Sequence, residues 1–227
     1  MDLIYIIKRS PKRKKLSITV ERDRTVVVHA PTSSSDETIH QVVESKRQWI
    51  YEKLHHLQKY AYLPHPPGKE LVNGESALFL GKSYRIEIVK TEQKNIQLEN
   101  HFLIPEFLIS KGKSTLRDWY IEKAKSIILQ RVEELSNKLG VEYNSAKISD
   151  NQYRWGSCTE KNNLTFNWRL IKAPMFVIDY VIIHELTHLL EPNHTSKFWN
   201  IVRAHTPKMD QAKLWLLENG QLLEDSL

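Results

Sequence analysis

His184-Glu185-Leu186-Thr187-His188, continuing as Leu189-Leu190-Glu191-Pro192-Asn193-His194, is the most informative stretch of this 227-residue chain. Ala173-Pro174 and a nearly continuous apolar run precede it, so the pattern predicts a helix over residues 175–190 that stops before Pro192. At 3.6 residues per turn, positions four apart differ by only about 40° around the axis. His184 and His188 therefore leave one face a turn apart, and two ring nitrogens can reach a single zinc ion. Glu185 is rotated by about 100° from His184, placed to stand beside that ion and take a proton from a water there. A catalytic zinc needs three protein ligands and one open position. Pro192 forces a turn, and six residues past His188 leave room to bend back, which makes His194 the third ligand. Three neutral imidazoles would pull the pKa of that water from about 15.7 toward about 7, with Glu185 as general base and later as proton donor. The competing reading is a set of surface histidines. Phe176, Val177, Tyr180, Val181, Ile182 and Ile183 argue against it, because they bury the helix. A buried Glu185 without a charge partner would cost several kcal/mol.

The surrounding pattern predicts an α+β chain. Residues 163–171 alternate, with Leu164, Phe166, Trp168 and Leu170 on one face and Thr165, Asn167 and Arg169 on the other. This reads as a half-buried strand and as the edge along which an extended peptide would pair. Residues 114–139 carry a helical stripe from Leu116 through Tyr120, Ala124, Ile128 and Val132 to Leu135, with Gly140 as the stop. Strands are expected over 71–80, 82–89, 95–98, 102–109 and 147–149, and helices over 196–205 and 207–219. Toward the N-terminus the pattern gives strands over 3–8, 16–21 and 25–30, with Asp23-Arg24 as a turn, then a helix over 37–60. Pro64-His65-Pro66-Pro67-Gly68 is the strongest punctuation. The expected division is residues 1–66 (strands plus a helix), 67–112 (a β-rich connecting region) and 113–227 (the domain carrying the histidines).

Composition narrows the function. With 41% hydrophobic and 26% charged residues, wholesale disorder is excluded. No apolar run approaches the ~18 residues of a membrane span. Leu3-Ile4-Tyr5-Ile6-Ile7 is too short for a secretory core and follows Asp2, so no export signal is expected. A lone cysteine, Cys158, excludes an intramolecular disulfide and a multi-cysteine zinc finger, and fits the cytoplasm. The net charge is +6. Much of the excess lies in Lys8, Arg9, Lys12, Arg13, Lys14 and Lys15, read as a basic hairpin turn that could also meet nucleic acid.

Arg154-Trp155-Gly156-Ser157-Cys158, Asn167-Trp168-Arg169-Leu170, the His184–His188 motif, Asn193-His194 and Phe198-Trp199 together resemble the YgjP-like metallopeptidase-domain family, which is related to the SprT-like and WLM metalloproteases. The resemblance is strong over residues 115–205 and weaker over the N-terminal part. It implies a zincin-like catalytic domain with one zinc ion, ligands at His184, His188 and His194, and the catalytic glutamate at Glu185. The sequence departs from the metzincins, which carry a glycine where Glu191 stands and a Met-turn for which Met209 is the lone candidate. Glu218 could act as a gluzincin-type third ligand, but His194 is nearer. Some members are described as UTP pyrophosphatases, so the resemblance leaves two reactions open.

Three functions follow as expectations. The first is a zinc metallopeptidase acting on a peptide or protein. The second is a UTP pyrophosphatase using the same metal site, with Arg154, Arg169 and the basic segment on phosphates; the absence of a Gly-rich phosphate loop counts against it. The third is a non-catalytic, zinc-stabilised module binding nucleic acid or protein. Arg154, Tyr180 and Asn167 are candidates for substrate binding or transition-state stabilisation. Asp179 is a candidate to orient a histidine N–H, and Cys158 a weak nucleophile candidate better read as packing.

Overall fold

The computed structural model describes residues 3–20, 25–55, 71–111, 114–151 and 154–224, and the chain separates into two units, Met1–Lys59 and Tyr60–Leu227. In the first unit, β1 (Ile6–Ser10), β2 (Ser17–Val20) and β3 (Val26–Pro31) form a sheet in the order β1-β3-β2. β3 is parallel to β1 and antiparallel to β2. Val26, Val27 and Val28 take the centre, buried on both faces. The basic segment is therefore not a hairpin turn: β1 and β2 do not pair with each other, and residues 11–16 cross from one side of β3 to the other. Val26, Val28 and Ala30 pack against Ile39 and Val43 of α1 (Asp36–Ser45) and Ile50 of α2 (Arg47–His55). The Ser35 hydroxyl caps α1 by accepting from Thr38 N at 3.2 Å. The single helix expected over 37–60 is broken at Lys46, whose φ of −108° and ψ of 9° leave the helical region. The Ser45 hydroxyl donates to Val42 O at 2.8 Å, offering that carbonyl a partner other than the helical ladder. Residues 56–60, Asp23-Arg24 and the Pro64–Gly68 punctuation lie outside the described residues.

In the second unit, β4 (Ser76–Phe79), β5 (Lys82–Val89), β6 (Gln97–Leu98) and β7 (Phe102–Pro105) form a sheet in the order β4-β5-β7-β6. β4 and β7 are shorter than expected, and β7 runs into a 3-10 helix at Glu106–Lys111. α3 (Ser114–Leu139) buries Leu116, Tyr120, Ala124, Ile128, Val132 and Leu135. These share one core with Ala77, Phe79, Ile86, Phe102 and Ile104, so the described residues 71–111 pack with the rest of this unit.

Next come β8 (Ser145–Ser149), β9 (Gly156–Cys158) and β10 (Asn163–Asn167), in the order β8-β10-β9. β10 is thus the middle strand, and the expectation that it offers an open edge is corrected: β8 and β9 are the edges. The strand expected to reach residue 171 ends at Asn167, and Trp168–Lys172 is a 3-10 helix. Asn167 causes this switch, because its side-chain oxygen accepts from Arg169 N at 3.0 Å. The turn between β4 and β5 docks on that 3-10 helix, with Leu80 N and Gly81 N each donating at 2.9 Å to Ile171 O and Lys172 O. A Cβ on Gly81 would lie 2.5 Å from Pro174 Cγ, so only glycine lets the turn sit against the start of α4 (Met175–Thr187). α5 (Ser196–His205) and α6 (Met209–Glu224) complete the unit. Among the described residues no helix is long and apolar enough to cross a membrane.

Candidate metal centre and cleft

α4 is held in the core by Val177, Ile178, Ile182, Ile183 and Leu186. It ends at Thr187, three residues earlier than expected, because Leu189 N and Leu190 N donate to Leu186 O and Thr187 O and tighten the last turn. His188 keeps helical angles, φ −64° and ψ −18°, so it still shares a face with His184. Beyond Pro192 the chain turns, with Thr195 N donating to Asn193 O at 2.7 Å. The Thr195 hydroxyl then caps α5 by accepting from Phe198 N at 3.3 Å. This short connection brings His194 back over α4.

One ring nitrogen from each of His184, His188 and His194 lies within 4.8 Å of the others, and Nε2 of His184 and His194 are 3.0 Å apart. Ligation at about 2.0–2.1 Å in tetrahedral geometry needs nitrogens about 3.3 Å apart, so the set fits one zinc ion with small side-chain adjustments. Burial, then the neighbouring His188 and His194, drives the His184 pKa down to about 3. Burial also lowers that of His188, followed by His194. Neutral rings are what a cation requires. Nδ1 of His184 is buried without a hydrogen-bond partner among the described residues. Phe198, fully buried, backs all three imidazoles at 4.6–4.9 Å between ring centroids, and Trp199 stacks on His194 at 5.5 Å.

Glu185 is 6% exposed and lines the same cleft as the three histidines. Burial raises its pKa to about 7, against the opposing pull of the Arg154 charge and the Cys158 backbone N–H. The residue missed by reasoning from sequence is Gly156. A Cβ there would lie 2.6 Å from Glu185 Cγ and 2.7 Å from Oε1, so β9 packs directly on the carboxylate. A glycine inside a short strand was the available signal.

The remaining candidates fall in different places. Arg154 is exposed and lines the cleft. Tyr180 is 8% exposed with its ring edge-on to His184 at 6.0 Å; burial, then the charge of Glu185, raises its hydroxyl pKa to about 12. Asn167 is 1% exposed, and its Nδ2 donates to Asn151 O at 2.6 Å and Arg154 O at 3.3 Å, which fixes the segment carrying Arg154. Asp179 does not orient a histidine: both its oxygens accept from Arg131 of α3, at 2.7 and 2.9 Å. Arg169 is tied to Asp150 at 2.5 Å and lies over the Trp168 ring. Cys158 lines the cleft half-buried, and burial, then Glu185, raises its thiol pKa.

The family model described as "YgjP-like, metallopeptidase domain" matches residues 14–219. No curated protein matches the chain. Among solved structures, the chain is similar to the metallopeptidase zymogen of Pyrococcus abyssi abylysin, at 18% identity and a TM-score of 0.34 over 39% of this chain and 92% of that one. It is also similar to the metallopeptidase zymogen of Methanocaldococcus jannaschii jannalysin, at 24% identity and a TM-score of 0.37 over 40% of this chain and 93% of that one. With the family model spanning most of its length, this chain belongs to the YgjP-like family by its metallopeptidase domain.

Proposed function

We propose that the chain is a zinc-dependent peptidase in which His184, His188 and His194 hold one ion and Glu185 moves the proton. The observation that carries this reading is a buried carboxylate lining one cleft with three clustered imidazoles. A zinc ion bound there supplies Lewis acidity toward a carbonyl and lowers the pKa of water. Glu185, with a proton affinity near neutrality, takes the proton from the attacking water and returns it to the leaving amine. Phe198 excludes water behind the imidazoles and holds their orientation.

β9 is the edge along which a peptide substrate pairs. Asn167 N donates to Trp155 O, and Thr159 N donates to Asn163 O. Residues 155 and 159 therefore turn their backbone groups toward β10, and by strand alternation Gly156 and Cys158 turn theirs away from it; the Cys158 N–H is engaged by Glu185, which leaves the Gly156 groups and the Cys158 carbonyl to pair with a substrate. The description of the matching family model as a metallopeptidase domain supports the choice of peptide. So does the fate of one expected phosphate binder, Arg169, which is committed to Asp150. A purely structural site would give the buried Glu185 no task.

The test is purified protein with stoichiometric zinc, offered casein, a peptide library and UTP. Peptide cleavage abolished by Glu185→Gln, with zinc content unchanged, is the expected result. UTP turnover without proteolysis, or zinc binding with neither activity, would overturn the reading.

A further inference from the structure

The geometry points to Arg154 as a specificity residue that receives a carboxylate on the C-terminal side of the scissile bond; this rests on the peptidase reading above. Besides Glu185 and the histidines, the charged side chains lining the cleft are Arg154 and Glu160. Of the other arginines of the second unit, Arg117 and Arg169 are committed to Asp150 and Arg131 to Asp179, and Arg85 and Arg203 do not line the cleft. Among the described residues no ion pair holds Arg154, and its side chain is exposed. Its backbone is nonetheless anchored, because the buried Asn167 binds its carbonyl. A guanidinium fixed at its base and free at its head, on the wall of a cleft, is placed to bind an incoming carboxylate through its planar fork.

Direction follows from β9. The strand runs from the Arg154 end toward the turn that carries Glu160. A substrate pairing antiparallel, the slightly more stable arrangement, places its C-terminal side at Arg154 and its N-terminal side at Glu160. Each end then meets the opposite charge. Gly156, which abuts Glu185, marks where the scissile bond lies. Arg154 is two residues away, about 6–7 Å of extended chain. The carboxylate therefore belongs to the first or second residue after the cut. It comes either from an acidic side chain or from the terminal carboxylate of a peptide that ends there.

A proteome-derived peptide library, half of it C-terminally amidated, is digested with the zinc-loaded full chain and its Arg154→Ala and Arg154→Glu variants, and cut sites are read by mass spectrometry. Selected peptides are then remade with Asp, Ala or Lys after the cut for kcat and KM. The wild type is expected to favour acidic over basic residues there by at least tenfold in kcat/KM, mainly through KM. Arg154→Ala should flatten that preference and Arg154→Glu should invert it toward Lys. Enrichment that persists in amidated peptides assigns the acidic side chain; enrichment confined to free acids assigns the chain terminus. Cleavage by the wild type with no charge preference overturns this inference alone. So does an Arg154→Ala loss confined to kcat and equal on every peptide, which would mark a transition-state role. No cleavage of any peptide by the wild type overturns the peptidase reading and this inference with it.

Discussion

Gly156 brings the β9 backbone so close to α4 that a methyl group in its place would sit 2.6 Å from Glu185 Cγ. The contact is between a strand and a buried side chain, so Gly156→Ala must push the carboxylate away from its position beside the histidines. We expect zinc binding to be retained and kcat/KM to fall at least tenfold, with a stability loss of about 1–3 kcal/mol from overpacking. Peptide kinetics beside a zinc assay check this. Full activity in the alanine variant would show that the carboxylate has room to spare.

Much of this arrangement was legible in local sequence. The stripe from Leu116 to Leu135 and the stop at Gly140 mark both ends of α3, because a helix states its period along its own length. The clustering of His184, His188 and His194 follows from helical spacing plus Pro192. What was not legible depends on pairing between distant segments. The alternation of Leu164, Phe166, Trp168 and Leu170 continues through a 3-10 helix, which buries the last two as well as a strand would, and only the Asn167 cap marks the change. Strand order, and hence the edge position of β9, is set by which strands meet rather than by either one's own pattern. The Gly156–Glu185 contact has the same origin.

His194 lies on the connection after Pro192 and is exposed, unlike the half-buried His184 and His188. Its removal should therefore leave the metal-free fold unchanged while deleting one ligand. His194→Ala is expected to weaken zinc binding by more than about 100-fold, the upper end of what loss of an outer partner costs. Competition with a chromophoric chelator measures this. Unchanged affinity would remove His194 from the ligand set.

Glu185 and His184 give the metal-free protein opposite pH dependences. For Glu185 the folded pKa is about 7 against 4.5 ordinarily, because burial disfavours the charged form. Its contribution to stability is full below pH 4.5 and is lost as pH rises through 7. For His184 the folded pKa is about 3 against 6.5, again through burial first, so its contribution is full above pH 6.5 and is lost as pH falls toward 3. Glu185→Gln cancels only the first effect. In chelator-treated protein, urea titrations should find variant and wild type nearly equal at pH 4.5. At pH 8 the variant should be more stable, by up to about 3 kcal/mol. A difference that does not change with pH would mean that Glu185 ionises freely in the folded state.

Asp150 joins three parts of the second unit that support the cleft wall. Its carboxylate accepts from Trp168 Nε1 at 2.9 Å, Arg117 of α3 at 2.6 Å and Arg169 at 2.5 Å. Burial alone would raise its pKa, but these donors outweigh it and hold the group at about 2, against 3.8 ordinarily. The stabilisation is therefore full above pH 3.8 and is lost as pH falls toward 2. The side chain is 43% exposed, so solvent screens the ion pairs and we expect the charge to contribute only about 1 kcal/mol. Asp150→Asn keeps an acceptor for Trp168 and removes the charge. Its denaturation midpoint should fall below that of the wild type at pH 6, and the two should converge near pH 2. The same substitution releases Arg169 from its anchor. If Arg169 then served phosphate chemistry, UTP turnover would rise in the variant; on the peptidase reading it stays at background.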